Sequence, residues 1–247
     1  MSLSNEQPDL TGRVALVTGA SRGIGAAVAK ALGACGAHVI LTARTTGALE
    51  EVDDAIRQAG GQATIMPLNM LDLDKIDVMG PALAEKFGRL DICIANAAML
   101  GTLMPLGHID AKEWQRVMDL NVNANFRLLR TLDPVLRASD AGRFVAVSSS
   151  LAQTPRAYWG AYATSKAALE SMVKVYAAET AKTPLRVNII DPGSTRTAMR
   201  AKAYPGEDAS KLKAPEETVP LFLGLVSPAC TSHGEVHRLA GVSQAAA

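Results

Sequence analysis

Residues 14–44 read VALVTGASRGIGAAVAKALGACGAHVILTAR, and this stretch decides the fold. The β-branched run VALVT at 14–18 predicts a buried parallel strand. A glycine-rich turn follows, and then an alanine-rich helix that we expect to end at Gly36, a typical C-terminal cap. The run at 38–43 predicts a second strand. Strand, glycine turn, helix and strand in this order predict a right-handed βαβ unit.

The glycines of this turn have separate physical reasons. Gly19 permits a tight turn, Gly23 lets main-chain N–H groups approach a pyrophosphate, and Gly25 lets the helix pack closely on the strand. The helix N-terminus adds partial positive charge for the phosphates. A plain strand-to-helix turn is the alternative interpretation. The strand before the turn and the helix after it favour a dinucleotide site.

The end of the second strand distinguishes the two nicotinamide cofactors. An acidic residue there would bind the ribose 2′-hydroxyl of NAD, but this strand ends LTAR at 41–44, without a carboxylate. Arg44, together with Arg22 in the glycine turn, could grip the 2′-phosphate of NADP. Taken alone, Arg44 is a solvated loop charge. Two arginines without an acid favour NADP(H), with NAD(H) as the less favoured cofactor.

The alternation of strands and helices continues along the chain. Further strands are predicted at 64–68, 90–95, 143–147, 186–190 and 235–239, and further helices at 46–58, 74–87, 110–137, 158–181 and 216–226. This alternation predicts an α/β fold with a Rossmann-type, doubly wound parallel sheet of seven strands. We expect a single domain over residues 10–242. The polar stretch 198–214 follows a strand end on the ligand side and is a candidate mobile substrate lid.

The stretch SSSLAQTPRAYWGAYATSKAAL at 148–169 contains residues suited to acid–base chemistry. Tyr162 and Lys166 are four residues apart, so their side chains leave one face of a helix. A free tyrosine has a pKa of about 10, and the Lys166 ammonium, with a positively charged cofactor ring, would lower the pKa of Tyr162. Ser149, at the end of a predicted strand, could hydrogen-bond a carbonyl oxygen that Tyr162 protonates. A lone YxxxK pattern is more often packing plus a solvated charge, so the serine and the glycine turn are needed to support this interpretation.

Small and polar residues at other strand ends complete the predicted site. The run NAA at 96–98 leaves room for a ribose and a nicotinamide. Thr197, after the rigid Pro-Gly turn at 192–193, could bond the nicotinamide amide or a phosphate. Asn121 lies inside the long predicted helix. It is either a core amide with satisfied hydrogen bonds or the holder of a water that relays protons to Lys166.

Composition argues against several classes of partner and site. The 25 basic and 24 acidic residues nearly cancel, and a net charge of +1 gives no general attraction to nucleic acid or to an anionic membrane. Cys35, Cys93 and Cys230 form neither a metal-ligand pattern nor a disulfide framework, and the four histidines are scattered, so we expect no bound metal. Reduced thiols, no apolar leader and no apolar run of about 20 residues predict a cytoplasmic protein.

From about residue 10 to 242 the chain resembles the classical short-chain dehydrogenase/reductase family. The matching motifs, in the family's order and spacing, are Thr18-Gly19-x-x-x-Gly23-x-Gly25, Asn96-Ala97, Asn121, Ser149, Tyr162-x-x-x-Lys166 and Pro192-Gly193-x-x-x-Thr197. Three stretches look like a little-characterised bacterial oxidoreductase branch of that family: ANAAML (95–100), SSSLAQTPRAYWGAYATSK (148–166) and DPGSTRTAMRAKAYPGEDASKLKAPEE (191–217).

The resemblance implies a role for each motif residue. Tyr162 would be the general acid/base and Ser149 the donor that orients the carbonyl. Lys166 would bind the ribose and lower the pKa of the tyrosine, and Asn121 would complete a proton relay. Beside Tyr162 and Lys166, the residues that would bind the cofactor are Gly19, Ser21, Arg22, Gly23, Ile24, Arg44, Asn69, Met70, Asn96, Ala97, Pro192, Gly193 and Thr197.

Two positions depart from the family pattern. The family's Asn-Asn-Ala-Gly reads ANAA at 95–98, which narrows the space beside the cofactor by one methyl group. Asn69 stands where the family usually has an acidic residue that contacts adenine. Neither change touches the acid/base group. Family members usually assemble through two long helices, here 110–137 and 158–181, so the resemblance also implies a homodimer or homotetramer.

Together these features predict an NADP-dependent oxidoreductase that interconverts a carbonyl and a secondary alcohol by hydride transfer, acting on a small-molecule substrate. One alternative is a non-catalytic protein of the same fold that binds or senses NADP. Another is a different nicotinamide-dependent chemistry, such as dehydration or epimerisation. The sequence does not identify the substrate. An apolar pocket could be formed by residues that are otherwise more often core: Met99, Leu100, Met104, Tyr158, Trp159 and Met199.

Overall fold

Seven strands form one sheet in the computed structural model, which describes residues 7–239. They are β1 (Val14–Thr18), β2 (His38–Thr42), β3 (Gln62–Ile65), β4 (Ile92–Ala95), β5 (Arg143–Val147), β6 (Arg186–Asp191) and β7 (Val236–Arg238). Their order is β3-β2-β1-β4-β5-β6-β7, and every neighbouring pair is parallel. The predicted doubly wound parallel sheet is therefore confirmed. The end of the predicted domain, residues 240–242, lies outside the described residues.

Helices cover both faces of the sheet. They are α1 (Gly23–Ala34), α2 (Thr46–Gln58), α3 (Leu73–Asp77), α4 (Met79–Phe87), α5 (Ala111–Met118), α6 (Ala124–Arg137), α7 (Gly160–Thr180), α8 (Ala198–Ala203) and α9 (Val219–Val226). Within residues 7–239, none of these helices has both the length and the apolar character needed to cross a membrane.

The structure corrects the bounds or the type of several predicted elements. β3 begins at Gln62 and ends at Ile65, two and three residues before the bounds predicted at 64–68. Residues 216–218 of the helix predicted at 216–226 form a 3₁₀ turn, and α9 begins at Val219. The helix predicted at 74–87 is divided at Val78 into α3 and α4. The helix predicted at 110–137 contains a π-helical segment, Asp119–Asn123, between α5 and α6. Hydrophobic periodicity reports which face is buried, and it does not report a one-residue break or a local change of hydrogen-bond spacing.

The side chains of each strand alternate between two apolar layers. One face of the sheet packs against α1, α2 and α9, and in this layer Val17 and Leu32 are fully buried. The other face packs against α3, α4, α6 and α7, and here Leu16, Leu128 and Val173 are fully buried. Burial on both faces explains why the central strands have nearly continuous apolar sequences.

The strand order determines where a ligand can bind. β1 lies between β2 and β4, so the connections that leave the carboxyl ends of β1 and β4 diverge to opposite faces of the sheet. A crevice opens at such a switch point, and doubly wound folds bind their ligands there. The glycine turn after β1 and the loops after β4, β5 and β6 meet at this edge.

Candidate active site

A cavity of about 1070 Å³ opens at the carboxyl edge of the sheet. Its volume is at the upper end of the range of about 300–1,000 Å³ that is typical of small-molecule sites. Of the predicted catalytic and cofactor-binding residues, all but Asn121 line this cavity: Gly19, Ser21, Arg22, Gly23, Ile24, Arg44, Asn69, Met70, Asn96, Ala97, Ser149, Tyr162, Lys166, Pro192, Gly193 and Thr197. The structure therefore brings the predicted acid/base group and the predicted cofactor residues to one space.

The glycine turn after β1 leaves its main chain accessible. Gly19 and Gly23 have φ angles of 66° and 57°, a left-handed conformation that glycine adopts without steric cost. A Cβ on Gly25 would lie 2.3 Å from the carbonyl oxygen of Gly19 and 2.6 Å from Nδ2 of Asn96, so no side chain fits there. α1 begins at Gly23, and the unpaired N–H groups of its first turn are suited to a phosphate.

Thr18 and Asn96 join the glycine turn to the loop after β4. The hydroxyl of Thr18 accepts from the main-chain N–H groups of Asn96 and Ala97, both over 3.0 Å. In return, Nδ2 of Asn96 donates to the carbonyl oxygen of Thr18 over 2.9 Å. These hydrogen bonds fix the glycine turn after β1 relative to the loop after β4. The floor of the cavity is therefore held in place by contacts within the protein.

The wall beyond β2 is basic. Arg22 and Arg44 line the cavity, and both residues are exposed to solvent. Among the described residues that line the cavity, Asp191 alone has a carboxylate, and it lies at the end of β6. Accessible guanidinium groups, helix N–H groups and a side-chain-free glycine turn together fit a phosphorylated dinucleotide.

Lys166 is a buried ammonium group. α7 begins at Gly160 and places Lys166 one turn after Tyr162, and the lysine is only 2% exposed. Its Nζ donates to the carbonyl oxygen of Val147 over 2.7 Å and lies 5.7 Å from the centroid of the Tyr162 ring. Burial lowers the pKa of Lys166 to about 8, and the carboxylate of Glu170 opposes this shift. The group therefore stays mostly charged at neutral pH, although burial disfavours the charge.

The acidity of Tyr162 differs from the prediction. Burial raises its pKa, the Asp191 carboxylate raises it further, and a hydrogen bond with Ser149 opposes both effects. The predicted lowering of this pKa by Lys166 is therefore wrong for the protein without a cofactor. The reason is that burial deprives a phenolate of its hydration, and the Asp191 carboxylate disfavours the negative charge further.

Asn121 lies in the π-helical segment and is fully buried. Its side-chain amide accepts from the main-chain N–H of Met99 and donates to the carbonyl oxygen of Met99 and to the hydroxyl of Ser165, each over 2.9 Å. The main-chain carbonyl oxygen of Asn121 accepts from Nδ2 of Asn125. The side chain is thus a satisfied core amide, which clamps the loop after β4 to α7. A part for Asn121 in a proton relay stays a prediction.

Sequence reasoning missed two buried carboxylates beside the acid/base group. Glu170, on α7, accepts from the hydroxyl of Ser148 over 2.7 Å and from Nε2 of Gln153 over 3.2 Å. Asp191 accepts from the main-chain N–H of Gly193 over 3.0 Å and so fixes the turn after β6. Burial raises the pKa of Asp191. The signal available in the sequence was an acidic residue at the end of an apolar predicted strand.

An apolar surface borders Tyr162. Leu100 and Leu151 are buried with Tyr162 in one small cluster, and Trp159 and Met199 pack against it. The predicted pocket residues that do line the cavity are Met99, Leu100, Trp159 and Met199.

Tyr158 and Met104 were also predicted for this pocket, and neither lines the cavity. Tyr158 is 60% exposed and borders a separate surface depression. Its φ angle is 73°, and its carbonyl oxygen accepts from the main-chain N–H of Met104 over 3.1 Å. At this bend the chain directs Trp159 to the cavity and leaves Tyr158 outside, a separation that sequence proximity does not reveal.

The predicted lid is a folded segment in the structure. It contains α8 and a 3₁₀ turn at Ala209–Lys211. Thr197 caps α8, because its hydroxyl accepts from the main-chain N–H of Arg200 over 3.2 Å. Arg200 and Tyr204 line the cavity, and neither residue was anticipated from sequence. Whether the segment moves stays a prediction.

Comparisons with known proteins agree with this geometry. A family model described as short chain dehydrogenase matches residues 13–208. The "uncharacterized oxidoreductase YciK" of Escherichia coli K12 is 43% identical over 229 residues, which cover 92% of this chain and 90% of the relative. A short chain dehydrogenase of E. coli CFT073, solved with NADPH, is 42% identical with a TM-score of 0.90, covering 94% of this chain and 98% of its own. A short chain dehydrogenase of Shigella flexneri 2a, solved with NADP, is 41% identical with a TM-score of 0.90. The match covers 94% of this chain and 99% of that one. The chain therefore belongs to the short chain dehydrogenase family and is an oxidoreductase with that family's Rossmann-type fold.

Proposed function

We propose that this protein is an NADP-dependent oxidoreductase that interconverts a carbonyl and a secondary alcohol. The observation behind the proposal is that Ser149, Tyr162 and Lys166 share one cavity with the glycine turn after β1. A dinucleotide held by that turn would therefore have its far end beside the acid/base group. When bound, the nicotinamide supplies or accepts the hydride.

Tyr162 would move the proton at the substrate oxygen. Ser149 and Tyr162 line the same cavity, and the Ser149 hydroxyl is near enough to lower the pKa of Tyr162, so both hydroxyl groups could reach a single substrate oxygen atom. Ser149 would hold that oxygen and stabilise its developing charge while Tyr162 gives or takes the proton. Lys166 stands one helical turn away, and its ammonium would stabilise the phenolate that forms during reduction.

The protonated form of Tyr162 is the form that a reduction requires. Burial keeps the phenol protonated at neutral pH, and a protonated phenol can donate to a carbonyl oxygen. Oxidation would require the phenolate, which the buried site and Asp191 both disfavour in the protein without a cofactor. A bound cofactor with positive charge would favour the phenolate that oxidation requires, so both directions belong to the proposal.

Preference for NADP(H) over NAD(H) is part of the proposal. Arg22 and Arg44 line the cavity beyond β1 and β2, and their guanidinium groups match the geometry of a phosphate. The related structures from E. coli CFT073 and S. flexneri 2a contain NADPH and NADP, which supports the same cofactor for this chain.

The proposed assembly is a homodimer or homotetramer formed through α5–α6 and α7. Phe126 on α6 is 51% exposed and Val175 on α7 is 55% exposed, so both helices present apolar side chains to solvent. Multi-angle light scattering of the wild-type protein and of Phe126→Glu tests this: a lower mass for the variant supports the proposal, and a monomeric wild-type protein contradicts it.

The test of the reaction mixes the protein with NADPH and a panel of ketones and follows nicotinamide absorbance. Tyr162→Phe keeps the ring and removes the proton donor, so turnover should fall by about 10²–10⁴-fold while NADPH still binds. Tyr158→Phe is the matched control, because that tyrosine is exposed and lies outside the cavity.

Full turnover by Tyr162→Phe would contradict the proposed mechanism. The rival function is a protein that binds or senses NADP without turnover. Tight NADPH binding with no reduction of any ketone would favour that rival. The buried pair of Tyr162 and Lys166 argues against it, because a pure binding protein has no need of a buried lysine that burial destabilises.

A further inference from the structure

Aromatic rings from two separate segments wall the apolar part of the cavity. Trp159 immediately precedes α7, Tyr204 immediately follows α8, and both line the cavity. Their ring centroids are 5.6 Å apart with 38° between the planes. The Trp159 ring also meets the Tyr162 ring edge to face, with centroids 6.1 Å apart. The wall therefore begins at the proposed acid/base group and extends away from it.

A strained bend holds Trp159 in this position. The preceding residue, Tyr158, has a φ angle of 73°, a left-handed conformation that is strained for a residue other than glycine. The main-chain N–H of Met104 donates to the carbonyl oxygen of Tyr158 over 3.1 Å, which ties the bend to the loop after β4. Strain of this kind persists where surrounding contacts impose it, and here its result is that Trp159 faces the cavity.

Arg200 holds the second ring. Its guanidinium lies 3.9 Å from the centroid of the Tyr204 ring, a cation–π contact. Its Nε and Nη2 atoms donate to the Glu207 carboxylate over 2.6 and 2.5 Å. The main-chain N–H of Tyr204 donates to the carbonyl oxygen of Arg200 over 2.9 Å. The position of Tyr204 is therefore set by contacts within residues 200–207 as well as by Trp159.

The surroundings of the two rings are apolar, and the guanidinium group that contacts the Tyr204 ring is already paired with a carboxylate. Leu100, Leu151, Met199 and Ala203 belong to the same cluster as Trp159. Arg200 is bound to Glu207 through two nitrogen atoms. Arg156 also lines the cavity, and this residue also has an interaction partner. An ionised group placed directly against this cluster would lose hydration among apolar side chains.

We propose that Trp159 and Tyr204 are specificity-determining residues that select an uncharged carbonyl compound bearing a flat apolar ring. The inference rests on the proposed carbonyl–alcohol reaction and names the substrate class for it. The ring of the substrate would lie against Trp159 and Tyr204 while its carbonyl oxygen reaches Tyr162. Aromatic walls favour a flat ring over a flexible chain, because the ring makes the same contact with less loss of conformational freedom.

Steady-state kinetics with three matched ketones test the selection. Acetophenone has the flat ring, its para-carboxylate adds a charge, and methyl hexyl ketone has the same number of carbon atoms in an open chain. For the wild-type protein, kcat/KM should be higher for acetophenone than for either comparator by about tenfold or more. A preference for the charged or the open-chain ketone would overturn the proposal.

Variants of Tyr204 distinguish a contribution of its aromatic ring to substrate selection from a general effect on the structure. Tyr204→Ala should lower kcat/KM for acetophenone by about tenfold and leave the value for methyl hexyl ketone within about twofold. Tyr204→Phe should behave like the wild type, because the ring and not the hydroxyl is invoked. Lys211→Ala, an exposed residue of the same segment that does not line the cavity, is the control. Equal losses for both ketones in Tyr204→Ala would contradict a role in selection.

A binding measurement distinguishes failure of this inference from failure of the proposed reaction. The chain has two tryptophans, so Trp114→Phe leaves Trp159 as the only one. With NADP⁺ present, acetophenone cannot be reduced, and its binding should quench Trp159 fluorescence in a saturable way that Tyr204→Ala weakens by about tenfold. If this occurs while no ketone is turned over, the ring site stands and the reaction is wrong. If acetophenone causes no saturable quenching, the ring site is wrong whatever the turnover.

Discussion

The buried charge of Lys166 predicts how the stability of the cofactor-free protein depends on pH. Burial lowers the pKa of this lysine to about 8, from an ordinary value of 10.5. Below pH 8 both the folded and the unfolded chain hold the proton, and the penalty for burying the charge is at its full size. Between pH 8 and pH 10.5 the unfolded chain binds more protons than the folded protein, so the free energy of unfolding rises with pH.

The size of the effect follows from the two pKa values. For a single site the gain in the free energy of unfolding is about 2 kcal/mol between about pH 7 and pH 9.5, and roughly 3 kcal/mol across the whole window. Other groups titrate in the same range with the opposite sign. Burial raises the pKa of the Cys35 thiol, so that group lowers stability as pH rises. The wild-type curve alone is therefore not decisive.

Comparison with Lys166→Met isolates the lysine. Methionine keeps most of the side-chain volume and removes the titrating charge. Urea unfolding of both proteins at the two pH values gives the difference in stability, wild type minus variant, and this difference should rise by about 2 kcal/mol. Lys30→Met, which removes an exposed lysine on α1, is the control for the loss of a lysine outside the cavity.

The sign and size of that difference test the geometry directly. A flat difference would mean that the ammonium reaches solvent in the cofactor-free protein, which contradicts its hydrogen bond to the carbonyl oxygen of Val147. A difference that falls with pH would mean that attraction to Glu170 outweighs desolvation, which reverses the order of the two effects on Lys166.

Three further substitutions test the cofactor groove. Gly25→Ala should weaken NADPH binding by about tenfold or more in calorimetric titration, because the added carbon would lie 2.3 Å from the carbonyl oxygen of Gly19. Gly107→Ala, where the added carbon meets open space, should leave binding unchanged. Arg44→Asp should lower kcat/KM with NADPH relative to NADH by about 10–100-fold, and equal losses with both cofactors would contradict a contact with the 2′-phosphate. Thr18→Val should lower the free energy of unfolding by about 2–4 kcal/mol in urea titrations, because its hydroxyl accepts from two main-chain N–H groups. A fall in the free energy of unfolding of less than about 0.5 kcal/mol would mean that the two hydrogen bonds to Thr18 contribute little to stability.

The sheet and its order of elements could be predicted because the local signals agree with one another. VALVT at 14–18 is a short apolar run followed by glycine, and its length and composition allow only a buried strand. The π-helical segment Asp119–Asn123 could not be predicted. Its hydrogen-bond spacing depends on contacts such as the one between Asn121 and Ser165, which are 44 residues apart in sequence.

The positions of the site residues were predictable, but the acidity of the acid/base group was not. The spacing of Tyr162 and Lys166 on one helix determines that they are neighbours. The sign of the change in the pKa of Tyr162 depends on how completely the fold buries it and on Asp191, which comes from a different strand. Likewise, no local pattern pairs Trp159 with Tyr204, because their contact needs the segment after β6 to fold back over α7.

The buried ionisable groups of the cavity differ from a buried carboxylate elsewhere in the fold in the direction of their pKa shifts. Asp91, at the amino end of β4, is fully buried, yet hydrogen bonds from Ser139, Val14, Arg89 and Arg13 outweigh the desolvation and leave its pKa lowered. At the opposite edge of the sheet the balance is reversed. Burial dominates at Tyr162, Lys166 and Asp191, and in each case it shifts the pKa toward the uncharged form.

Burial alone does not explain this contrast. Hydrogen bonds offset the cost of burying the charge of Asp91, whereas they do not offset the cost of burying a charge at Tyr162, Lys166 or Asp191. Groups that are buried without complete compensation are expected where a ligand is to supply the missing partners. A cofactor with positive charge would favour the phenolate of Tyr162, and ribose hydroxyl groups would give Lys166 further acceptors. The pattern of burial therefore supports the same edge, and the same residues, as the site of chemistry.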